Sequence, residues 1–405
     1  MKFGTLEDIK TNGRTVLVRV DLNSSIEPSK NIILDDKRFR DHLPTIQTLE
    51  KSKVIVLAHQ SRPGKKDFTT LEAHANRLEQ LLGKSVTYVD DIFSHCAKNA
   101  VRKAHPGDVL LLENVRFCAE ENLTMKSDEA KNTHLVRNLA SMADIFVNDA
   151  FGTAHRAQPT IIGLPFMMPT VAGLLMEREI KNLSRIFTSA PKPVTFVLGG
   201  TKVDDSIAVA SRVLENGTAD HVALIGVVAN VFYLAKGIDI GIPSTNLIKI
   251  LGYEEEITNA RKILDAYSDK IILPEYVAVK QNNERREYAV TATPMNCPIL
   301  DIGAESIDII CKFLRESGTI VFNGPAGMFE EEGFATGTYE LLHAAAKAEF
   351  SICGGGHTTA VIKQLGLESM YSHLSSGGGA CIEFLTGRKL PALDALERSW
   401  DLFKN

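Results

Sequence analysis

The chain lacks the charge excess of a nucleic-acid-binding or membrane-surface protein. Its 405 residues include 45 Lys and Arg against 50 Asp and Glu, which gives a formal net charge of -5 at pH 7. Such a balance provides no global attraction to polyanions, so any anion site must be a local cluster of cationic side chains. We therefore expect neither nucleic acid nor a membrane as a partner.

Long apolar runs without helix breakers are missing as well. The longest uncharged apolar stretch, residues 159–176, is interrupted by prolines, and we interpret it as a buried connection rather than a membrane span. Glu7 and Asp8 precede any apolar stretch, so we predict no secretory signal. Together these absences favour a cytoplasmic protein.

Cysteine is scarce, and it is not arranged for a disulfide framework or a zinc site. The six cysteines are far apart in sequence and form no Cys-x-x-Cys pair: Cys96, Cys118, Cys297, Cys311, Cys353 and Cys381. We predict reduced thiols in the core of a cytosolic protein.

Two common phosphate-binding signatures are also absent. No Gly-x-Gly-x-x-Gly occurs, and Gly83-Lys84-Ser85 has Leu78 where the first glycine of a Walker A loop belongs. A nucleotide site in this chain must therefore use other glycine-rich turns.

The chain does contain a regular alternation of short apolar strands and amphipathic helical stretches, such as residues 71–82, 206–216 and 304–316. The strands are continuous runs of branched residues, as in sheets that are covered on both faces. The length gives a prior of about two to three domains. We predict an α/β fold of two Rossmann-like lobes with parallel sheets flanked by helices, joined by a hinge helix over residues 172–186.

In the first half of the chain, the strands end at polar and cationic residues. The run over residues 16–20 leads into Asp21 and Asn23, and the run over residues 54–58 leads into His59 and Arg62. The run over residues 109–112 leads into Arg116, and the run over residues 145–147 leads into His155 and Arg156. Arg38 follows a polar loop. Ligands of open α/β sheets lie beyond the carboxyl ends of the strands, and the planar fork of arginine suits phosphate and carboxylate. These residues therefore suit a polyanion.

Three of the polar residues have competing interpretations. His59 and His155 are interpreted as donors to the anion rather than as general acids, with a purely structural histidine as the alternative. Arg40, two residues after Arg38, is interpreted as an ordinary surface residue at the start of a helix.

In the second half, the strand ends are rich in glycine. The runs over residues 194–198, 320–322 and 351–353 lead into Gly199-Gly200-Thr201-Lys202, Asn323-Gly324-Pro325 and Gly354-Gly355-Gly356, and a second triplet covers Gly377 to Gly379. Consecutive amides free of side chains form an anion-binding concavity, to which a helix N-terminus adds about half a positive charge. These turns suit nucleotide phosphates, so the two lobes would hold different ligands, as in a two-substrate kinase.

The motifs, taken in order, resemble those of the phosphoglycerate kinases over nearly the whole chain. The resemblance is carried by Val18-Arg19-Val20-Asp21-Leu22-Asn23, His59-Gln60-Ser61-Arg62-Pro63, Leu112-Glu113-Asn114-Val115-Arg116-Phe117, residues 147–156, residues 198–203, residues 322–330 and both glycine triplets. It implies reversible phosphoryl transfer between 1,3-bisphosphoglycerate and ADP, giving 3-phosphoglycerate and ATP, in glycolysis and gluconeogenesis. It further implies in-line transfer after domain closure, Mg²⁺ carried mainly by the nucleotide phosphates, and a monomer, with a dimer left open.

The resemblance also assigns domains and site residues. The domains are residues 1–171 for phosphoglycerate, the hinge helix 172–186, residues 187–388 for the nucleotide, and a tail over 389–405 that packs back on the first domain. The substrate-binding residues are Asp21, Asn23, Arg38, His59, Arg62, Arg116 and Arg156. The nucleotide-binding residues are Gly199, Gly200, Lys202, Asn323, Pro325, Glu330, Gly355, Gly356, His357 and Thr358. Arg38, Lys202 and the amides near Gly356 and Gly378 are the expected catalytic groups.

The sequence departs from the family pattern at several positions. His357 replaces the aspartate that helps to hold Mg²⁺, Ser206 replaces a second lysine, and Gln60-Ser61 replaces Leu-Gly. Imidazole is a poor ligand for a hard cation, so the metal ligand stays unknown. Together with a shortened motif over residues 224–230, these differences resemble the archaeal branch. Two alternatives remain open: a kinase acting on a smaller acyl phosphate, and a catalytically silent binding protein.

Overall fold

The computed structural model describes residues 2–404. The chain divides into two compact units. The first runs to Lys181 and takes up the chain again from Lys389, and the second comprises residues 182–388. The first unit is therefore built from both ends of the described chain, with the second unit inserted between them.

The first unit is built on a six-stranded parallel sheet. The strands are β1 (Thr15–Arg19), β2 (Ile26–Glu27), β3 (Ile32–Ile33), β4 (Lys53–Leu57), β5 (Val86–Val89), β6 (Val109–Leu112), β7 (Ile145–Asn148) and β8 (Thr170–Ala172). The sheet has the order β5-β6-β4-β1-β7-β8, and β2 and β3 form a separate antiparallel pair. The helices are α1 (Lys37–Thr48), α2 (Glu72–Leu82), α3 (His95–Lys103), α4 (Ser127–Ala130), α5 (His134–Ala140) and α6 (Pro159–Ile162).

Both faces of this sheet are covered, which explains why its strands are continuous apolar runs. Along β1, Val16 and Val18 belong to one buried cluster, whereas Leu17 belongs to the cluster on the opposite face. Successive side chains of a strand point to opposite faces, so every position of a doubly covered strand is apolar. This arrangement confirms the predicted α/β architecture of the first lobe.

Residues 159–176, interpreted from the sequence as a buried connection, are largely buried and contain regular elements. The stretch contains α6, strand β8 and the start of α7 (Leu174–Thr188). Pro159 occupies the first turn of α6, where a missing N–H costs nothing because that group has no helical partner. The single helix predicted over residues 172–186 thus lies at Leu174–Thr188, and the boundary between the two units falls within it.

The second unit has a parallel sheet of the same size and a smaller antiparallel sheet. Its strands are β9 (Val194–Leu198), β10 (His221–Leu224), β11 (Ile271–Ile272), β12 (Tyr276–Gln281), β13 (Glu284–Ala289), β14 (Ile299–Ile302), β15 (Thr319–Asn323), β16 (Phe350–Gly354) and β17 (His373–Leu374). The parallel sheet has the order β11-β10-β9-β15-β16-β17. The helices are α8 (Val203–Glu215), α9 (Gly226–Ala235), α10 (Ile242–Ile250), α11 (Glu256–Tyr267), α12 (Ala304–Glu316), α13 (Thr336–Ala345), α14 (Gly356–Gln364) and α15 (Gly379–Leu385).

The antiparallel sheet, of order β13-β12-β14, was not part of the predicted fold. Its edge strand β13 has the sequence Glu-Arg-Arg-Glu-Tyr-Ala, which carries no apolar run. The turn before it places Asn282 and Asn283 at φ 51° and 63°. Two consecutive left-handed residues are typical of a tight hairpin, so this Asn-Asn pair was the available signal.

The C-terminal helix α16 (Pro391–Phe403) belongs to the first unit. Its Ala392 N–H donates to the carbonyl of Ala154 at 3.1 Å, and Ser399 Oγ accepts from the N–H of Thr170 at 3.1 Å. The helix buries one face, which includes Leu393 and Leu396.

The cysteines differ in burial. Four of the six cysteines are buried, but Cys118 is half-buried and Cys96 is exposed. The expectation of a core position is wrong for Cys96, because α3 turns Ala97 and Val101 inward instead. Within residues 2–404, no helix combines the length and the apolar character that crossing a membrane requires.

Candidate active site

The polar strand ends of the first unit lie next to one another. Strands β6, β4, β1 and β7 are consecutive in the sheet and parallel, so their carboxyl ends share one edge. Arg116 follows β6, His59 and Arg62 follow β4, Asp21 and Asn23 follow β1, and Arg156 follows β7. The sheet order therefore brings together residues separated by more than a hundred positions in the chain.

Arg38 joins this edge from helix α1. Its Nη1 donates to Oδ2 of Asp21, whose Oδ1 accepts the N–H of Asn23 at 3.1 Å. Burial raises the pKa of Asp21, but the charge of Arg38 and smaller contributions, among them the N–H of Asn23, together outweigh burial, so that the pKa lies below its ordinary value. A Cβ atom on Gly152 would overlap Asp21 Oδ2, so glycine is needed where Asp21 and Arg38 meet.

Asn23, Ser61 and Arg116 are linked through backbone groups. Oδ1 of Asn23 accepts the N–H of Ser61 at 2.7 Å, and Nη1 of Arg116 donates to the Ser61 carbonyl. Ser61 has a left-handed φ of 56°, which non-glycine residues adopt at a cost. Its Oγ donates to Oδ1 of Asp67 at 2.7 Å, and this bond helps to hold the strained residue in place.

His59 is fully buried, and its tautomer follows from its neighbour Arg19. Nη2 of Arg19 lies 3.4 Å from Nδ1 of His59. A guanidinium only donates, so Nδ1 accepts and the ring proton is on Nε2. Burial, opposed by Asp21 and reinforced by Arg19, lowers the pKa of His59 well below its ordinary value. His59 therefore offers a neutral Nε2–H donor to a ligand.

The cationic side chains of this edge repel one another. Burial lowers the pKa of Arg116 to about 10, and the charges of Arg156 and Arg19 contribute to the shift. Arg116 nevertheless stays charged at neutral pH, so an anion bound here would be stabilised by its charge and by that of Arg156.

The remaining sequence-predicted residues of the first half lie in different settings. Arg62 is exposed on the loop after β4, and His155 and Arg156 are half-buried after β7. Arg40 projects from α1 to form a paired salt bridge with Asp36, with 3.0 Å between Nη2 and Oδ2. This position agrees with the interpretation of Arg40 as a surface residue.

In the second unit, the predicted nucleotide residues line one cavity of about 640 Å³. All of the following face it: Gly199, Gly200, Lys202, Asn323, Pro325, Glu330, Gly355, Gly356, His357, Thr358 and Gly378. Strands β9, β15 and β16 are consecutive and parallel, so the three glycine-rich turns leave the sheet at the same edge.

The turns after β9 and β15 pass within backbone contact of each other. The N–H of Gly199 donates to the Asn323 carbonyl at 2.8 Å, and the N–H of Gly200 donates to the Pro325 carbonyl at 2.9 Å. Gly324 has a φ of 88°, and a Cβ atom there would overlap the carbonyl of Gly199. Glycine is therefore required both for the conformation and for the close approach.

The third turn leads directly into helix α14. Gly355 has a φ of 88°, and a Cβ atom on it would lie 2.9 Å from Oδ1 of Asn323. Thr358 Oγ1 accepts the N–H of Gly324 at 3.2 Å, which ties the start of α14 to the neighbouring turn. The first amides of a helix have no partner within it and carry partial positive charge, so this end of the cavity suits a phosphate.

The donors near this turn do not suit a resident metal ion. His357 and Glu330 are both exposed, with 3.9 Å between Nδ1 and Oε1. Mg²⁺ prefers oxygen ligands in octahedral geometry. Across residues 2–404, no group of three or more His, Cys, Asp or Glu side chains is arranged to hold a metal ion. These side chains therefore do not fit a metal held by the protein alone.

Several residues that support the two sites were missed at the sequence level. Arg19, His42 and Asp149 are buried in the first unit, and Asp301 is buried beside the cavity of the second. The signal for Arg19 was a charged residue at the end of an otherwise apolar strand. His42 and Asp149 gave no local signal, because they contact each other across 107 residues of sequence.

Comparisons with known proteins agree on one family. The family model for phosphoglycerate kinase matches residues 6–388. Phosphoglycerate kinase of Methanocorpusculum labreanum is 72% identical over 405 residues, covering 100% of both chains, and that of Methanosarcina mazei is 47% identical over 403 residues, covering 99% of this chain and 97% of its own. The crystal structure of phosphoglycerate kinase from Pyrococcus horikoshii OT3 has a TM-score of 0.92 at 40% identity, covering 99% of this chain and 100% of its own. These relatives are archaeal, as the sequence pattern predicted. The chain therefore belongs to the phosphoglycerate kinase family.

Proposed function

We propose that the two sites hold the two substrates of one kinase reaction. Membership of the family gives the reaction: reversible transfer of a phosphoryl group between 1,3-bisphosphoglycerate and ADP, yielding 3-phosphoglycerate and ATP, in glycolysis and gluconeogenesis. The observation that supports this proposal is that cationic residues at strand ends lie together in the first unit, whereas glycine-rich turns lie together in the second.

The first unit would bind the phosphoglycerate. Arg62, Arg116 and Arg156 supply charged forks for its phosphate and carboxylate, His59 donates from Nε2, and Asn23 donates from the amide nitrogen opposite its bonded Oδ1. Both carboxylate oxygens of Asp21 are already engaged by the protein. Asp21 therefore orients Arg38, and its unused lone pairs leave it among the proposed substrate-binding residues.

The second unit would bind ADP or ATP. The N–H groups of Gly355 and Gly356 would donate to the phosphates, with the positive end of α14 behind them, whereas Gly199 and Gly200 let the backbone come close, because their own N–H groups bond to the turn after β15. Glu330 would bind the ribose hydroxyls, and Asn323, Pro325, His357 and Thr358 complete the wall. We propose that the nucleotide phosphates and water carry the Mg²⁺ ion, because the protein side chains do not fit it.

Transfer of the phosphoryl group would depend on the positions and charges of the protein groups around it. The transferring group spreads negative charge over three oxygens, so fixed cations and amides stabilise it without a covalent enzyme intermediate. Arg38 from one ligand site and Lys202 from the other are the proposed clamps, with amides at Gly356 and Gly378 assisting. Gly356 is the first residue of α14, whereas Gly378 immediately precedes the shorter helix α15. We propose that closure about α7 brings the ligands into line.

Replacing Arg38 by alanine tests this proposal. Loss of one preorganised donor typically lowers turnover by about 10² to 10³. We expect a loss of this size in a coupled assay with 3-phosphoglycerate and MgATP, with the fold retained, although the thermal unfolding midpoint should fall because the buried carboxylate of Asp21 loses its partner. Arg40→Ala is the matched control, because Arg40 lies on the same helix but pairs with Asp36. Wild-type turnover in Arg38→Ala would remove Arg38 from the reaction centre.

The same assay addresses the two alternatives. A kinase for a smaller acyl phosphate would turn over acetyl or carbamoyl phosphate faster than 1,3-bisphosphoglycerate. A silent binding protein would show no turnover with any of them. We further propose a monomer in the cytoplasm, with a dimer as the alternative that light scattering would detect.

A further inference from the structure

The two ring nitrogens of His42 have different and fixed roles. His42 is buried on α1, and its Nε2 lies 3.0 Å from the backbone nitrogen of Asp21. A backbone N–H only donates, so Nε2 accepts and the ring proton is on Nδ1. Nδ1 lies 2.7 Å from Oδ2 of the fully buried Asp149, to which it donates.

The orientation of Asp149 is fixed by the start of α7. Its Oδ1 accepts the N–H of Leu175 at 2.9 Å and the N–H of Met176 at 3.3 Å. A Cβ atom on Gly173 would overlap Asp149, so the carboxylate fills the space beside that glycine. One oxygen is therefore committed to the helix and the other to His42.

This chain of hydrogen bonds ends at Arg38. The backbone held by His42 belongs to Asp21, and the side chain of Asp21 accepts from Arg38. Arg38 and His42 are four residues apart on α1, so they lie on the same face of the helix. His42 therefore ties the helix that carries Arg38 to the loop that carries its carboxylate partner.

We propose that Asp149 and His42 are positioning residues that act through Asp21 on Arg38. Asp149 keeps the proton of His42 on Nδ1, the bare Nε2 holds the Asp21 backbone, and Asp21 orients the guanidinium for transfer. This inference rests on the proposed function, in which Arg38 is a clamp on the transferring group. Misplacement of such a group by about 1 Å can lower turnover about 10²-fold.

Asp149→Asn is the sharpest test, because it changes neither size nor shape. With its oxygen kept on the amides of Leu175 and Met176, the new NH₂ group faces Nδ1 of His42. The histidine then moves its proton to Nε2, where it meets the N–H of Asp21 and is repelled. We expect kcat to fall about 10- to 100-fold, while the Kd for MgADP stays within twofold. Nitrogen NMR of the imidazole should show the proton moved from Nδ1.

A double-mutant cycle separates positioning from a general loss of structure. If Asp149 acts through Arg38, Asp149→Asn should change kcat less than twofold once Arg38 is alanine. Asp144→Asn is the matched control, because Asp144 accepts a single backbone N–H, that of Thr15, and should change kcat less than twofold.

The outcomes distinguish this inference from the proposed function. An equal fold-loss from Asp149→Asn in both backgrounds overturns the positioning role alone, whereas full turnover in Arg38→Ala overturns both proposals. If Asp149→Asn does not fold, the activities of two His42 variants test the positioning role instead. Glutamine keeps an acceptor near the Nε2 position, and asparagine keeps only a group near Nδ1, so His42→Gln should be the more active. The opposite order overturns the inference.

Discussion

His74 shows how one buried side chain can affect the response of the fold to acid. It lies on α2, with its ring stacked on Phe39 at 5.7 Å between centroids and 27° between planes. Its Nε2 donates to Oε1 of Gln60 at 3.0 Å, and that oxygen also accepts the N–H of Ser24. Burial lowers the pKa of His74 from 6.5 to about 4, because the charged ring would lose its hydration.

The pH dependence of stability follows from this shift. The unfolded chain binds the proton near pH 6.5 and the folded chain only near pH 4, so the free energy of unfolding falls as the pH drops through this window. The contribution of His74 to this loss reaches about 3 kcal/mol below pH 4. His74→Phe should remove it, because phenylalanine keeps the stacking on Phe39 and does not titrate.

Urea unfolding of both proteins from pH 7 to pH 4 measures the effect. The two curves of unfolding free energy should diverge below pH 6.5, with the parent losing more. Parallel curves over the whole window would show that His74 is not responsible.

At this scale, the sequence predicts which residues are chemically suited to a ligand but not what holds them. Arg62, Arg116, Arg156 and His59 follow strand ends, where local patterns are informative. The proton positions on His59 and His42 depend instead on Arg19 and on Asp149, and such contacts cannot be inferred from spacing along the chain.

At the scale of elements, the glycine turns after β9 and β15 determine how close two backbones come. We expect Gly324→Ala to cost more stability than an ordinary substitution of a left-handed glycine, because its Cβ atom would meet the Gly199 carbonyl. A left-handed alanine alone costs about 1 to 2 kcal/mol, and forced overlap adds roughly 1 to 3 kcal/mol. Affinity for MgADP should fall in parallel.

Gly217→Ala is the control for this prediction. Gly217 has a similar φ of 69°, but a Cβ atom there would meet nothing within 4 Å. Urea unfolding and titration calorimetry on both variants isolate the cost of the overlap. Equal destabilisation by the two variants would contradict the requirement for close approach.

Elements are predictable here where burial on both faces gives an unambiguous pattern. The run over Val194–Leu198 coincides with β9, and the helix predicted over residues 304–316 coincides with α12. The hairpin of β12 and β13 was not predicted, because its outer strand is largely charged and carries no apolar pattern. Its pairing depends on the turn and on neighbouring strands.

For the whole molecule, the proposed closure can be tested in solution. Small-angle scattering should show a smaller radius of gyration only when 3-phosphoglycerate and MgATP are both bound, because each ligand alone engages one unit. The single-ligand samples serve as controls. Equal radii in all four states, including the ligand-free protein, would contradict a closure mechanism.

The position of α16 has a consequence for how the molecule is made. This helix completes the first unit, where Trp400 packs at Gly4, yet the ribosome synthesises it only after the entire second unit. At about 5 to 20 residues per second, the intervening stretch from Asn182 to Arg388 takes roughly 10 to 40 s to emerge. During that delay the nascent first unit exposes the apolar surface that Leu393 and Leu396 will cover, so the growing chain is prone to aggregate until α16 has been made.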